Sequence, residues 1–578
     1  MDSAILSNVR DVLSTLHFQA IPASVSALSD ASTPVLVLGS VGIAGLSVTA
    51  YVASIFAGNY IQTWTSPMRI LPGPKRESLM EGSFVSAHES DSHRLLESWI
   101  GTYGRTIRYF SIFGSQRMVT IDTKAINHIL KDGYVYEKSD QIRHDLGAVL
   151  GTGLLFVTGK DHKRQRKAIN PAFGPAQIRK FTETFIAKSN ELRDIWSSLT
   201  ERPVREDGWT RVDAFEWLNK AALDMIGLTG FNYNFDALHA DGTHPNELYS
   251  AVNKSLGITG ARSVWSRVLS YIPLFYALPT QESRARNAAL GTITSIGARL
   301  IGEKKKEIMG EHPDGTLTKD DITGHDLLSL LLKSNMAGDL GQNYRMTDDE
   351  IISQVPTFIV AGHETTSTLV TWTLFALALA PDVQRKLREE LRMHPYDSPS
   401  LEELNGIHYL ESVLREALRL YAPVNFGTRV AQQDDVIPFE TPFIDKYGVP
   451  RTELRVTKGD TIVIPTRILN RSKEIWGDDA NEFKPERWDH LPQKTGSMPG
   501  VYNHLLTFLA GPHACIGFRF ALAEAKSLLF SLVSSFEFAL AMQPDDIVRH
   551  FNIVGRPFLD GVQSRPQLPL LIRPAKEV

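Results

Sequence analysis

The only cysteine in the chain, Cys515, lies in a glycine-rich loop near the C-terminus. The loop Phe508–Gly517 reads FLAGPHACIG, and apolar side chains at helical spacing predict an amphipathic helix over 518–536. Free N–H groups at a helix N-terminus favour a thiolate, and Gly511 and Gly517 let the backbone approach a large flat group. A lone cysteine is usually a small core residue, but this setting favours a metal or cofactor ligand.

A short polar segment interrupts a long apolar stretch in the middle of the chain. Residues 351–379 are mostly apolar, but their centre, Ala361–Thr366, reads AGHETT. The interruption predicts a helix through the protein core rather than a membrane span. A Thr365 hydroxyl bonded to a carbonyl one turn earlier, beside Gly362, would loosen the helix and leave room for a small ligand. The alternative is a polar kink in an ordinary core helix.

Apolar side chains at helical spacing predict an amphipathic helix over 409–421. Glu416 and Arg419 lie three positions apart on this helix and can reach each other. Taken alone, they would be an ordinary solvated ion pair. The segment FKPERW over 483–488 follows and contains Arg487.

The basic segment 159–167 offers His162 and Arg166 on one helical face, and Arg429 follows later in the chain. Such cations suit the carboxylates of a buried cofactor, although a basic run is more often a solvated face. The remaining bases, Lys163, Arg164 and Lys167, are candidates for docking an acidic partner.

Together these segments resemble the cytochrome P450 family. The loop around Cys515 is similar to its haem-binding loop, with His513 where arginine is more common, and AGHETT is similar to its oxygen-binding motif. The segments around Glu416 and Arg487 are similar to two further signatures, in the family's order. The resemblance covers the chain from about Leu71 onward, and the wording of the motifs is similar to that of fungal members.

The resemblance implies haem b as cofactor, with Cys515 as the axial ligand of the haem iron. It implies that Glu364 and Thr365 are catalytic and deliver protons to iron-bound dioxygen, and that the thiolate favours O–O cleavage. The residues that it implies for haem binding are Phe508, Gly511, Gly517, Ala361 and Gly362, together with His162, Arg166, Arg429 and His513 as candidate partners of the propionates. The residues that it implies for a buried structural triad are Glu416, Arg419 and Arg487.

The implied fold is mainly α with a small mixed β region, the cytochrome P450 fold, preceded by one N-terminal transmembrane helix. Two strand-like runs, 454–456 and 461–464, are joined by a turn at Lys458-Gly459 and agree with the small β region.

The N-terminal segment has no charged side chain between Asp30 and Arg69, and 34–57 is apolar or small. That length predicts a transmembrane helix, with a buried core helix as the alternative. The resulting domains are a luminal segment 1–33, the membrane helix 34–57, a Pro/Gly hinge 58–75 and a haem-thiolate catalytic domain 76–578. Positive charges after the apolar run predict a single-pass protein of the endoplasmic reticulum whose catalytic domain faces the cytosol.

The implied activity is insertion of one oxygen atom from O2 into a lipophilic small molecule, a terpenoid or other secondary metabolite. No strand-bound G-x-G-x-x-G fingerprint occurs, so electrons must come from a partner. By family analogy the partner is an NADPH–cytochrome P450 reductase, with cytochrome b5 as a second candidate. A formal net charge of −4 and 22% charged residues give no indication of nucleic-acid binding.

Two rival functions stay open. One is a haem-thiolate isomerase or dehydratase working without external electrons, although such enzymes commonly depart from the acid–threonine pattern that this chain keeps. The other is a membrane-tethered haem carrier or sensor, in which Glu364 and Thr365 would have no purpose. A second apolar stretch, 264–278, is either a lipid-facing segment that frames an entry channel or a buried helix.

Overall fold

The structure is a computed structural model that describes most of the chain, and the apolar stretch 264–278 and all but the last residue of the predicted luminal segment 1–33 lie outside the described residues. The described ranges are 33–78, 82–83, 92–201, 207–240, 247–248, 250–252, 280–311, 326–336, 344–394, 397–551, 554–562 and 565–576. The chain divides into two units, residues 1–61 and 62–578.

Helices dominate the described ranges. They are α1 Thr33–Thr65, α2 Ser92–Tyr103, α3 Thr123–Lys131, α4 Asp140–Leu150, α5 Gly159–Ile169, α6 Pro175–Thr200, α7 Ala214–Phe231, α8 Gln281–Glu311, α9 Leu327–Met336, α10 Asp348–Ile352, α11 Gln354–Leu379, α12 Pro381–Arg392, α13 Leu401–Gly406, α14 His408–Leu420, α15 Thr466–Asn470, α16 Lys473–Trp476 and α17 Phe518–Ser535.

Short strands form a five-stranded sheet of order β1-β2-β8-β5-β3, a three-stranded sheet of order β4-β12-β9, and the pairs β6-β7 and β10-β11. The larger sheet is mixed, because β2 and β8 are parallel and its other pairs antiparallel. The predicted fold class, mainly α with a small mixed β region, is therefore confirmed. The strands are β1 Thr106–Phe110, β2 Gln116–Thr120, β3 Tyr136–Glu137, β4 Thr210–Asp213, β5 Gly427–Ala431, β6 Asp435–Ile444, β7 Pro450–Val456, β8 Thr461–Ile464, β9 Phe536–Leu540, β10 Ile547–Phe551, β11 Gly555–Leu559 and β12 Pro569–Pro574.

The central helix α11 forms the core of the large unit. It packs on α7 along one side and on α17, the helix that follows the cysteine loop, along another. The predicted helix 351–379 is divided at Ser353, where the short α10 ends and α11 begins. Thr347 and Glu350 form a capping box at the start of α10, so this first turn is stabilised separately.

The two predicted strands on either side of Lys458-Gly459 both form, but they belong to different sheets. β7 pairs with β6, whereas β8 lies between β2 and β5. A turn between two strands therefore does not make them a hairpin here, because each finds its partner elsewhere in the chain.

The N-terminal helix α1 extends further than the apolar segment 34–57. Residues 58–65, expected as part of a hinge, continue the helix, because no proline occurs before Pro67 to interrupt the backbone hydrogen bonds. In the described ranges no single helix has the length and apolarity to cross a membrane, and only α10–α11 with α12, as a pair bent by 114°, meets that criterion.

Candidate active site

The loop that carries Cys515 is held by its own backbone and by α3. The Cys515 N–H donates to the Phe508 carbonyl at 2.9 Å. Gly511 has a φ of +70°, and a Cβ at this position would lie 1.9 Å from the carbonyl oxygen of Leu130 at the end of α3. Glycine alone tolerates this conformation at this distance, so the course of the loop depends on Gly511. Gly517 precedes the first residue of α17 and ends the loop.

The thiol of Cys515 is surrounded by protein without being covered by it. The residue is exposed, yet it lies so deep among protein atoms that burial raises the pKa of the thiol. The backbone N–H of Gly517 and the guanidinium of Arg166 act in the opposite direction. The side chain is therefore accessible to a ligand although protein atoms surround it.

The centre of α11 is open at one turn. Every residue between Gln354 and Leu377 is buried except Ala361, Gly362 and Thr365. The Thr365 hydroxyl donates to the Ala361 carbonyl at 2.9 Å. This bond competes with the regular helical hydrogen bonds at that turn, as the sequence led us to expect.

Gly362 has a different neighbour from the one expected. A Cβ at this position would lie 2.8 Å from Cγ1 of Ile226 on α7. The glycine therefore serves the close approach of α7 and α11, and the expectation that it mainly leaves room for a small ligand needs this correction. Gly362 is partly exposed, as are Ala361 and Thr365 at the same turn.

The carboxylate of Glu364 is buried and points into a polar network between three elements. Both Nε and Nη2 of Arg556 on β11 lie 2.8 Å from its Oε2. The side-chain amide of Asn219 on α7 donates to Oε1 at 3.3 Å. His363 is fully buried, with Nδ1 2.6 Å from the Ile359 carbonyl and Nε2 3.6 Å from Oε1 of Glu364. Burial lowers the pKa of His363, so its ring favours the neutral form.

Glu416, Arg419 and Arg487 come together in the interior. Arg419 donates to both carboxylate oxygens of Glu416, at 2.8 and 2.9 Å, with neither side chain exposed. Arg487 adds a third contact, from Nε to Oε1 of Glu416 at 3.3 Å. The remaining acceptor capacity of Glu416 is used by the indole of Trp488 at 3.2 Å and the backbone N–H of Lys484 at 3.0 Å.

The two arginines also bind the loops that precede the cysteine loop. Arg419 donates to the carbonyls of Asn470, Ala480 and Glu482. Arg487 forms an ion pair with Asp479 at 2.5 Å, a partner that the motif did not predict. The Arg487 guanidinium holds the pKa of Asp479 well below its usual range, at about 2, with help from Lys484.

Among the described residues, cations outnumber acids around Lys138, which lies near Arg166 of α5 and Arg429 of β5. Arg166 donates to the Ala514 carbonyl next to Cys515. Burial lowers the pKa of Arg429 to about 10, and Glu137 opposes this shift. Burial and the nearby Arg429 lower the pKa of Lys138 to about 8. Glu137 is the one acid that acts on both groups among the described residues, so an anion is expected to balance this charge.

The two histidines expected at the propionates pack against each other, with ring centroids 4.1 Å apart. Burial, followed by the nearby His513, lowers the pKa of His162 to about 2, so this ring is neutral. His513 Nε2 lies 3.1 Å from both the Gly133 carbonyl and a Glu137 carboxylate oxygen. Its buried Nδ1 has no hydrogen-bond partner in the described part of the chain.

Only part of the expected docking surface is free. Arg164 pairs with Glu350 and with Asp161, whereas Lys163 is exposed and Lys167 lies 3.7 Å from the ring centre of Tyr344. The structure thus leaves two of the three bases for an acidic partner.

These groups fit an iron porphyrin. An accessible thiol at a helix N-terminus can ligate iron, the open turn of α11 can face the bound ligand, and a buried excess of cations can receive two carboxylates. Sequence reasoning missed three functional candidates. They are Lys138 in the cation-rich region, Asn219 and Arg556 at Glu364. None of the three belongs to a recognisable motif. Each is also far in the sequence from the residue that it contacts or acts on, so no local pattern predicts the interaction.

Comparison with known proteins agrees with this geometry. The Cytochrome P450 family model matches residues 72–557. Cytochrome P450 monooxygenase 205 of the fungus Postia placenta is 44% identical over 544 residues, covering 94% of this chain and 99% of the relative. Cytochrome P450 monooxygenase 128 of the same species is 43% identical, with 92% and 97% covered. Cytochrome P450 monooxygenase claP of Ampulloclitocybe clavipes is 34% identical, with 94% and 99% covered.

The chain belongs to the cytochrome P450 family. It is a monooxygenase, and its cofactor is a haem-thiolate iron centre.

Proposed function

We propose that this monooxygenase inserts one oxygen atom from O2 into a lipophilic small molecule, with a terpenoid or other secondary metabolite as the substrate class and Cys515 as the haem ligand. The observation that carries the assignment of the ligand is the exposed Cys515 in the glycine-rich loop, three residues before the first residue of α17. Bound haem b supplies oxygen activation, and a thiolate ligand favours O–O cleavage.

The residues around the cofactor have distinct tasks in this proposal. Arg166 and Arg429 bind the propionates with Lys138 as a further cation, and His162 and His513 pack beside them. Phe508, Gly511 and Gly517 would shape the loop that holds the porphyrin. Ala361 and Gly362 border the oxygen side through the open turn of α11.

Thr365 and Glu364 are proposed to move protons. The Thr365 hydroxyl is only partly buried and already bonds within the helix, so it can hold water at the open turn. Glu364 directly precedes Thr365 on the helix and is held by Arg556 and Asn219. Its carboxylate can pass protons to Thr365 only by exchanging one of these partners for water, so we assign Arg556 the control of that step.

We also propose that the enzyme is anchored in the endoplasmic reticulum membrane through 34–57. The uncharged run between Asp30 and Arg69 supports an anchor, and Leu46, Tyr60 and Trp64 on α1 are exposed. An NADPH–cytochrome P450 reductase on the same membrane would supply electrons, with cytochrome b5 as a second donor, and Lys163 and Lys167 would face it. Protease protection of the full chain in microsomes tests the topology, since digestion of the large unit from the cytosolic side is expected.

The ligand assignment is tested by replacing the sulfur. Cys515→Ser is expected to abolish the thiolate-type Soret band of the reduced, carbon-monoxide-treated protein. Ser527→Ala on α17, whose buried hydroxyl bonds only within its helix, is the matched control and should keep that band. A thiolate-type band in Cys515→Ser would refute the ligand.

The reaction class is tested by its need for electrons. Full-length protein in membranes with a reductase should consume NADPH and O2 and yield a product one oxygen atom heavier. An isomerase or dehydratase would turn over its substrate without reductase, and a haem carrier would form no product under either condition.

A further inference from the structure

The loop that carries Cys515 is preceded by a tight turn that begins at a tyrosine. The turn covers residues 502–505 and is closed by the Leu505 N–H, which donates to the Tyr502 carbonyl at 3.0 Å. Its two central residues, Asn503 and His504, have φ angles of 45° and 59°. Positive φ at both central positions is typical of a type I′ turn, in which asparagine is favoured. The turn therefore holds Tyr502 at a fixed place before the cysteine loop.

The ring of Tyr502 packs against the cysteine loop itself. Its centroid lies 5.9 Å from that of Phe508, the first residue of the loop, with an interplanar angle of 76°. The Phe508 carbonyl in turn accepts from the Cys515 N–H at 2.9 Å. Val501 donates its N–H to the Leu509 carbonyl at 3.1 Å, so the segment folds back on the loop. Two contacts thus separate Tyr502 from the cysteine whose sulfur is the proposed iron ligand.

The hydroxyl of Tyr502 donates to a carboxylate that is held in its ionised form. It lies 2.5 Å from Oε1 of Glu411 on α14, a length typical of an O–H donor on a charged oxygen. Lys526 Nζ lies 2.7 Å from Oε2 of Glu411, and Arg415 Nε lies 2.7 Å from Oε1. Burial acts in the opposite direction, but Lys526, followed by Tyr502 and Arg415, holds the pKa of Glu411 below its usual value.

This pair is suited to the loss of an electron by the phenol. Burial, followed by the charge of Glu411, raises the pKa of Tyr502, so the phenol keeps its proton in the resting protein. An oxidised phenol is a strong acid, and its oxidation becomes easier when a base is already hydrogen-bonded to the hydroxyl. Glu411 is such a base, and the proton has to move only along one short hydrogen bond.

Other tyrosines share only one of these two features. Tyr136 and Tyr409 also donate to carboxylates, at 2.7 Å each, but neither ring pairs with a ring of the cysteine loop in the described ranges. Tyr134 contacts the ring of His513 in that loop, with centroids 5.7 Å apart, but its hydroxyl faces a histidine nitrogen. Among the described residues, Tyr502 combines an ionised acceptor with a ring contact to the loop of Cys515.

We propose that Tyr502 and Glu411 form a protective redox site, in which Tyr502 gives one electron to the haem centre when a peroxide has oxidised that centre and no substrate supplies electrons. The inference rests on the proposed role of Cys515. The peroxide takes up two electrons and two protons and leaves as water, and Tyr502 replaces one of the two electrons that the haem centre has lost.

The proton balance of the step involves only this pair. The O–H bond of Tyr502 breaks, an O–H bond forms on Oε1 of Glu411, and Tyr502 remains as a neutral radical. One electron from an external reductant and the proton from Glu411 then restore the phenol. The cycle would divert oxidising equivalents from the haem and its loop during turnover that forms no product.

The test uses haem-loaded full-length enzyme, mixed with hydrogen peroxide without substrate and frozen rapidly for electron paramagnetic resonance. The native enzyme should give a tyrosyl signal that narrows when the protein contains ring-deuterated tyrosine. Tyr502→Phe keeps the ring beside Phe508 and removes only the hydroxyl, so the signal should be lost and the haem absorbance should bleach faster. Tyr409→Phe removes another hydroxyl bonded to a carboxylate and should preserve both the signal and the bleaching rate.

A second variant separates transfer of the proton from transfer of the electron. Glu411→Gln keeps the ring contact of Tyr502 but removes the base, so the yield of the tyrosyl signal should fall. If this variant folds poorly, the native enzyme in deuterium oxide replaces it, and the signal should form more slowly because the O–H bond breaks in the same step. The thiolate-type Soret band of each variant verifies the haem site, so failure of this inference is distinct from failure of the Cys515 assignment.

Three results would overturn the proposal. One is a tyrosyl signal of native size in Tyr502→Phe, and another is a native signal that ring-deuterated tyrosine leaves unchanged, because the radical would then lie elsewhere. The third is an undiminished yield in Glu411→Gln together with an unchanged rate in deuterium oxide. A native bleaching rate in Tyr502→Phe would overturn the protective role.

Discussion

The Arg556 guanidinium holds the Glu364 carboxylate with two nitrogen atoms 2.8 Å from the same oxygen, Oε2. This ion pair joins the middle of α11 to β11, 192 positions later in the chain. The proposed proton donor is thus fixed by a strand that is distant in the sequence but adjacent in the fold. Asn219 on α7 adds a third attachment, so three elements determine where this carboxylate points.

Removing Arg556 should destabilise the protein because a buried carboxylate would lose its cation. The side chains of Glu364 and Arg556 are 6% and 15% exposed. The pair is therefore closer to a buried ion pair than to a surface ion pair in its response to the loss of one partner. We expect Arg556→Gln to lower the free energy of unfolding by about 3 kcal/mol. Urea unfolding measures the loss.

A double variant measures how much of the stability loss comes from the interaction between Glu364 and Arg556 itself. Glu364→Gln with Arg556→Gln should lose clearly less stability than the two single changes together, by at least about 1 kcal/mol. Arg565→Gln, an exposed arginine 3.7 Å from Glu216, is the control and should change stability by less than about 0.5 kcal/mol. Additive effects of Glu364→Gln and Arg556→Gln would contradict a coupled pair.

Local patterns predicted the elements that carry the motifs, whereas the partners of the motifs could not be predicted. The helix expected over 409–421 is observed as His408–Leu420, and that expected over 518–536 as Phe518–Ser535, because periodicity and helix ends are local properties. Arg556 has no pattern of its own. Its role arises only when β11 packs on α11, and a pairing over 192 positions leaves no periodic signal.

Two other differences have the same physical origin. β7 and β8 are strands as expected, but long-range pairing decides that they enter different sheets. Gly362 was interpreted within its own helix, whereas the contact that requires a glycine comes from Ile226 on α7. A residue's local motif therefore predicted its helix but not the neighbour that constrains it.

Removing the Thr365 hydroxyl should uncouple the enzyme. Thr365→Ala is expected to lower product formed per NADPH consumed by about tenfold, because loss of a positioned proton donor costs about 10²–10⁴ in the assisted step while electron entry is unchanged. Peroxide release and product are measured together. Thr373→Ala removes the same kind of hydroxyl-to-carbonyl bond later on α11 and should stay coupled. Equal coupling in both variants would exclude Thr365 from the proton path.

Breaking the interior triad should affect haem retention before it affects chemistry. Glu416→Gln leaves the fully buried Arg419 without a charged partner, and we expect a loss of about 3–5 kcal/mol in the free energy of unfolding. The fraction of purified protein with a thiolate-type Soret band should fall in parallel. Glu389→Gln disrupts an exposed pair with Arg385 at 3.9 Å and should have little effect. Full haem content in Glu416→Gln would argue against a structural role.

A methyl group at Gly511 should displace the cysteine loop. Gly511→Ala must accommodate a Cβ 1.9 Å from the Leu130 carbonyl oxygen at a φ of +70°, so we expect a loss of at least about 1–3 kcal/mol and reduced haem content. Gly496→Ala is the control, because a Cβ there meets no atom within 4 Å and the backbone is not left-handed. Normal haem content in Gly511→Ala would show that the loop adapts without this glycine.

The ion pair between Asp479 and Arg487 should contribute to the acid limit of stability. Arg487 first, and then Lys484, hold the pKa of Asp479 at about 2 in the folded protein, whereas an unfolded aspartate has a pKa of about 4. The unfolded state therefore binds this proton first as the pH falls, so the stabilisation is complete above pH ~4 and is lost progressively towards pH ~2. Asp479→Asn removes the titrating group and should flatten the decline of unfolding free energy between pH ~4 and pH ~2. Asp382→Asn, at a side chain that is 89% exposed, should leave the decline unchanged, and an unaltered slope in Asp479→Asn would mean that other carboxylates set the acid limit.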